Sequence, residues 1–159
     1  MPVAKIVILN WNGAEHLRRF LPSVVAAAPA GVEVMVADNG STDDSLGVLA
    51  TEFPSVGVLR LEANYGFAGG YNRALEQVRA DYYLLLNSDI ETPEGWLAPI
   101  LDVLEREPDV AVVSPKLISW TDRTKFEYAG ASGGFIDFLG YPFCRGRILR
   151  QVETDEGQY

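Results

Sequence analysis

The chain has 159 residues, with 13 Lys and Arg against 22 Asp and Glu, for a net charge of −9. Its length fits one domain with a real core, with room for a small appendage. With 48% hydrophobic and 22% charged residues its composition is that of a folded globular protein. So acidic a chain is poorly suited to nucleic acid or anionic lipid through its bulk field. An anionic ligand would need local help from backbone N–H groups, a few Arg or Lys, or a metal ion. The one cysteine, Cys144, excludes an internal disulfide, and with the one histidine, His16, it excludes a Cys/His zinc site. No run is long enough to cross a membrane and the N-terminal stretch lacks a signal-peptide cleavage pattern, so the cytoplasm is the expected location.

Short β-branched runs alternate with helical patterns. The first strand is expected over residues 5–9. The helix after it places Leu17, Phe20, Val24 and Ala28 on one face, with Pro22 expected to kink it. A second strand covers 32–37. The next helix is expected to open near Ser41, where Ser41-Thr42-Asp43-Asp44 resembles a capping box, with Leu46, Leu49, Ala50 and Phe53 as its apolar stripe. A third strand covers 56–61 and a third helix 67–79. The almost wholly apolar run 82–86 reads as a central parallel strand. Thr92-Pro93 reads as an N-cap and first-turn proline for a helix carrying Trp96, Ile100, Leu101 and Leu104. A fifth strand is expected over 110–114. Such alternation predicts an α/β protein with a mostly parallel, Rossmann-like sheet. Residues 119–147 are rich in Gly and aromatics (Phe126, Tyr128, Phe135, Phe138, Tyr141, Phe143) without a helical period. They read as a loop or irregular hairpin covering one end of the sheet.

In an open parallel sheet, ligands bind beyond the carboxyl ends of the strands. All four of the first strands end in polar or glycine-rich segments: Asn10-Trp11-Asn12-Gly13, then Asp38-Asn39-Gly40-Ser41-Thr42-Asp43, then 64–73 with Asn64, Gly66, Gly69, Gly70 and Asn72, then Asn87-Ser88-Asp89-Ile90-Glu91. Each has an ordinary reading as turn chemistry. Neither a dinucleotide-binding glycine fingerprint nor a P-loop is present. Asp89 directly after an apolar strand is expected at a crevice floor, where an unpaired carboxylate is costly and a cation would relieve it. Mg²⁺ or Mn²⁺ is commonly held by one or two carboxylates plus substrate phosphate oxygens. Asp89 would be the ligand, assisted by Asn87 or Glu91.

These four segments, in this order, resemble the motifs of family 2 glycosyltransferases with the GT-A fold, nearest to the rhamnosyltransferase-like branch. The resemblance covers residues 4–118 well. It implies a nucleotide-sugar-binding core over 1–118 and the start of an acceptor-side region over 119–159. The implied reaction moves a sugar, with rhamnose the first guess, from a dTDP- or UDP-sugar to the hydroxyl of a glycan or lipid-linked acceptor, with inversion. Asp38 would accept a hydrogen bond from the imide N–H of a uracil or thymine ring, with Asn39 and Ser41 nearby. Asn10 and Asn12 would line the nucleoside pocket. Asn64, Gly66, Gly69 and Asn72 belong to a loop and helix start that would face ribose or diphosphate. Asn87-Ser88-Asp89 stands at the family's DXD position, with Asn in place of the first Asp and Asp89 as the metal-holding residue. The general base is not identified; Glu127, Asp137 and Glu153 are acids outside any recognised motif. The family's catalytic domain runs on past residue 159, so the chain is expected to be a shortened piece, able to bind donor and poor at transfer.

His16 is expected at the surface and Cys144 as a partly buried thiol. Arg145, Arg147 and Arg150 form a basic cluster, either a solvated arm or one that meets donor phosphates or a membrane surface. The formal sequon Asn39-Gly40-Ser41 is read as chance. Three other readings compete: a nucleotidyltransferase, which should carry a basic Gly-rich loop after the first strand; a nucleotide-sugar-binding module without a base; and a plain Rossmann-like domain whose polar strand ends are only turns.

Overall fold

The computed structural model describes residues 3–127, 132–148 and 151–158. The chain runs β1 (Ala4–Asn10), α1 (Ala14–Ala27), β2 (Glu33–Asp38), α2 (Ser45–Glu52), β3 (Gly57–Arg60), α3 (Gly66–Leu75), β4 (Tyr82–Asn87) and α4 (Leu97–Arg106). Four short strands follow: β5 (Gly134–Ile136), β6 (Pro142–Cys144), β7 (Arg147–Ile148) and β8 (Gln151–Val152). Contacts group the chain into two compact units, Met1–Ala98 and Pro99–Tyr159; the sequence alone suggested a boundary between 118 and 119.

The first unit is a four-stranded parallel sheet in the order β3-β2-β1-β4. The chain steps outward from β1 to β3 and then returns across the sheet to β4. With right-handed crossovers, that reversal puts α3 on the face opposite α1 and α2. The side chains agree. Val7 and Ala37 pack with Tyr71, Ala74 and Val78 of α3 and the turn after it. Ile6, Ile8 and Val36, which alternate with them and are also buried, face the other way. On that side α1 and α2 lie together, and Leu17, Phe20, Leu21 and Val24 form the buried stripe of α1.

Several expectations are corrected here. The apolar run of β4 is not central: β4 is the sheet's edge in the described residues, its side chains alternate in exposure, and Leu85 is 52% exposed. α1 continues past Pro22, whose ring lies on the exposed side of the helix. α2 begins at Ser45, and Ser41 caps nothing; its hydroxyl is taken by the loop after β1. Within α2 the buried residues are Ser45, Val48 and Leu49, while Ala50 is exposed. α3 ends at Leu75 rather than near 79. Thr92 and Pro93 do not open α4, which starts at Leu97. The Thr92 hydroxyl is buried with no partner among the described residues, and Gly95 at φ 75° turns the chain between them.

α4 starts on the last two residues of the first unit and carries Pro99 in its first turn, where a missing N–H costs nothing. Residues 110–114 form no strand among the described residues, and Val112 is 82% exposed. A strand needs a partner for its backbone groups, and none of the described residues pairs with this run. Beyond it, two small antiparallel ladders join β5 to β6 and β7 to β8. Tyr128, Arg150 and the side chain of Arg147 lie outside the described residues.

Tyr71 fastens α3 to the return strand: its hydroxyl donates to the carbonyl of Leu86 at 2.9 Å. Tyr71→Phe should lower stability by about 1 kcal/mol, the net worth of one hydrogen bond, with an otherwise native far-UV spectrum; thermal or urea unfolding measures it.

Candidate functional site

The parallel ladder sets Asn10 directly opposite Asp38, and Leu9 opposite Asn87. The carboxyl ends of β1, β2 and β4 therefore finish level, and the polar residues meet there. Asn10 is fully buried and Asp38 is 2% exposed. The Asn10 amide donates to Asp38 Oδ2 at 3.1 Å and to Ser41 Oγ at 3.2 Å. The Ser41 N–H donates to Asp38 Oδ1 at 3.0 Å. Asp38 is thus a buried carboxylate held by neutral donors, and no cation pairs with it among the described residues. Asn10 Oδ1 is buried and has no partner among the described residues.

Asn12 ties the first loop to the second. It holds the left-handed φ of 50°, which Asn tolerates better than most residues. Its Oδ1 accepts from the Thr42 N–H at 2.7 Å, and its own N–H donates to Ser41 Oγ at 2.9 Å. Asn39, buried beside Asp38, points to the loop after β3. Its amide donates to Asn64 Oδ1 at 3.0 Å and to the Gly66 carbonyl at 3.1 Å, and its Oδ1 accepts the Tyr65 N–H at 3.0 Å. Asn64 Oδ1 also accepts the Gly66 N–H at 2.8 Å. Gly66 has φ 71°, open to glycine at little cost.

The predicted residues therefore fall into three groups. Asn10, Asn12, Asp38 and Ser41 form one network. Asn39, Asn64 and Gly66 form a second, joined to the first through the backbone. Gly69 and Asn72 lie on α3 and enter neither. Asn87, Ser88 and Asp89 lie at the end of β4, across the switch in strand order from β1. Gly13 bridges the gap: a Cβ there would stand 2.4 Å from Asn10 Oδ1 and 3.7 Å from Ser88 Oγ.

Asp89 is exposed, not on a crevice floor, so burial does not demand a counter-ion. Its carboxylate makes no bond to any described residue. No group of three or more His, Cys, Asp or Glu that could hold a metal exists among the described residues. One open carboxylate fits Mg²⁺ or Mn²⁺ only where phosphate oxygens supply further ligands.

Asp43 carries a role the sequence reading missed. Its Oδ2 accepts the Ala14 N–H, at the start of α1, at 3.0 Å. Its Oδ1 accepts the Ser45 N–H at 3.0 Å and the Ser45 hydroxyl at 2.5 Å. One carboxylate therefore serves the starts of two helices. Partial burial works to raise its pKa, but the bonds from Ser45 and Ala14 outweigh that and hold it below the ordinary value. The available signal was Asp two residues before Ser at a helix start.

An open parallel α/β sheet binds ligands beyond the carboxyl ends of its strands, where these polar residues stand. The comparisons with known proteins make that specific. The family model for glycosyl transferase family 2 matches residues 5–151, and the chain belongs to that family. An N-acetylglucosaminyl-diphospho-decaprenol L-rhamnosyltransferase of Mycobacterium tuberculosis is 29% identical over 124 residues, covering 71% of this chain and 40% of that protein. An undecaprenyl-phosphate 4-deoxy-4-formamido-L-arabinose transferase of Sodalis glossinidius is 33% identical over 113 residues, covering 66% of this chain and 34% of that protein. The crystal structure of S. aureus TarS 1–349 with UDP-GlcNAc superposes with a TM-score of 0.58 at 24% identity, over 66% of this chain and 32% of that one. It shares the mostly parallel GT-A-like fold. The chain thus spans about two fifths or less of the length of these relatives.

Gly13→Ala should unfold the chain at lower temperature, since the new methyl displaces Asn10 and leaves buried polar groups mispaired, at a cost of about 1–3 kcal/mol. Asp43→Asn should cost about 1 kcal/mol at neutral pH after allowance for its exposure. Because the folded pKa is depressed, the Asp43 contribution is full above the unfolded value of 3.8 and is lost as pH falls through the folded one. The gap between wild type and variant should close in acid, as a series of urea melts would show.

Proposed function

We propose that the chain binds the nucleoside diphosphate of an activated sugar at the carboxyl ends of β1, β2 and β4, and serves transfer of that sugar to an acceptor hydroxyl. The observation that carries this reading is the buried Asn10–Asp38–Ser41 network, with one acceptor, Asn10 Oδ1, without a partner among the described residues. Such a site suits a planar base that offers N–H donors. Asp38 accepts the imide N–H of a uracil or thymine ring, and Asn10 and Asn12 shape the wall beside it. Asn39 and Ser41 hold Asp38 and its loop in place. The first turn of α3, entered through Asn64 and Gly66 and continued by Gly69 and Asn72, offers backbone N–H groups to ribose or phosphate. Asn87 and Ser88 face the sugar side.

Asp89, exposed and without a protein partner among the described residues, is the residue to hold Mg²⁺ or Mn²⁺ once phosphate oxygens complete the ligand set. When bound, that ion would supply positive charge for the departing diphosphate. Rhamnose as the sugar follows the rhamnosyltransferase relative, and inversion, with dTDP ahead of UDP, goes with that reading. A lipid-linked or glycan acceptor is in keeping with the same relative, and work at the inner face of a membrane is in keeping with such an acceptor. Transfer also needs a base toward the acceptor, and no described residue is assigned that role; donor binding without transfer is the second reading for a chain that spans 40% of that relative.

Calorimetric titration of dTDP, UDP and GDP, each with Mn²⁺ and with EDTA, tests the donor site. Metal-dependent binding of dTDP or UDP, lost in Asp89→Ala and weakened at least about tenfold in Asp38→Ala, is the expected result. Absence of nucleotide binding in every condition would overturn the reading.

A further inference from the structure

We propose that the β5–β6 hairpin is a membrane-surface anchor whose tip enters the boundary between headgroups and acyl chains of an anionic bilayer. The strands pair Gly134 with Cys144, Phe135 with Phe143 and Ile136 with Pro142. A side chain at 134 would meet the Phe143 carbonyl at 2.7 Å, so glycine is what lets the strands close. The turn is held from within. Asp137 Oδ1 accepts the N–H groups of both Leu139 and Tyr141 at 2.9 Å, and the Asp137 N–H donates to the Tyr141 carbonyl at 3.0 Å. Gly140, at φ 86°, completes it. The one acid of the hairpin is thereby used to brace its tip.

What the brace presents is apolar. Phe138 is 95% exposed, and Leu139, Tyr141 and Ile136 are each at least two-thirds exposed. Phe135 and Phe143 pack ring to ring at 5.4 Å on one face and are still about half exposed, while Ile136 projects from the other. A hairpin lying on a protein core shows one apolar and one polar face. This one is apolar on both faces and at the tip, which a protein partner on one side would not cover and a lipid phase would. The charge pattern agrees. In residues 132–150 three arginines stand against Asp137 alone, a local +2 in a chain of −9. Arg145 sits at the hairpin's base with its guanidinium over the Phe135 ring at 4.6 Å. An arginine at the base and aromatics beyond it match a headgroup layer and the boundary beneath it.

The anchor does not rest on the donor-site reading, because binding is measured without nucleotide. Flotation of the full chain with vesicles of phosphatidylglycerol and phosphatidylcholine, against phosphatidylcholine alone, is the test. Wild type should float with the anionic vesicles and much less with the neutral ones, and high salt should weaken the binding. Phe138→Ser with Leu139→Ser, at exposed positions, should keep the far-UV spectrum and melting temperature and lose at least about tenfold in partitioning. Phe138→Trp should add a blue-shifted emission component, relative to wild type, with anionic vesicles only. Wild type that fails to float, a double variant that floats equally, or a Phe138→Trp variant whose added emission does not shift would each overturn the proposal. So would wild type that self-associates in light scattering while the double variant stays monomeric, which would assign the hairpin to a second copy of the chain.

Discussion

The pairing of Asn10 with Asp38 across the β1–β2 ladder is the constraint on which the rest of the site depends. A slip of one residue would turn every side chain of β2 to the other face. Val34, Val36 and Ala37 are all buried, so such a slip would cost the packing on both sides of the sheet. The core thus fixes where the polar groups meet. The same ladder logic levels β4 with β1 and brings Ser88 to the far side of Gly13.

The network built on that pairing is electrostatically selective. A buried carboxylate with no cation beside it among the described residues would repel phosphate and favour a neutral ring bearing N–H groups. Phosphates would be better placed at the first turn of α3 or at the open end of β4. The proposed donor orientation follows that division, with the base at Asp38 and the diphosphate toward Asp89. Asn39 adds stiffness, since its side-chain amide reaches from the end of β2 to the start of α3 and bonds the loop at 64–66 through both its oxygen and its nitrogen.

The first four strands and the polar strand ends were legible in the sequence, because β-branched runs and turn residues carry those signals locally. The failures share one cause, which is tertiary competition. Ser41 has good capping chemistry, but Asn12 and Asn10 claim its hydroxyl, and α2 starts four residues later. The run 82–86 is apolar enough for a central strand, yet strand order is not written in any local pattern, and β4 lies at an edge. Residues 110–114 have β-propensity without a described partner, and propensity alone does not make a ladder. Asp89 was placed correctly at a strand end, but its exposure could not be read from the apolar residues before it. Asp43 was overlooked because its second partner, Ala14, lies in another helix.

The closed bonding of the loops has a consequence for how such a chain can change over time. Asn10 bonds Asp38 and Ser41 side chain to side chain, as Asn39 bonds Asn64. Replacing one member strands its partner, whereas replacing both with a matching pair need not. Drift at these positions is therefore expected to be concerted, with descendants exchanging whole pairs rather than single residues. Positions such as Asn72 and Asp89, outside the mesh, are free to vary one at a time as far as folding is concerned, so any constancy there would reflect a ligand rather than the fold.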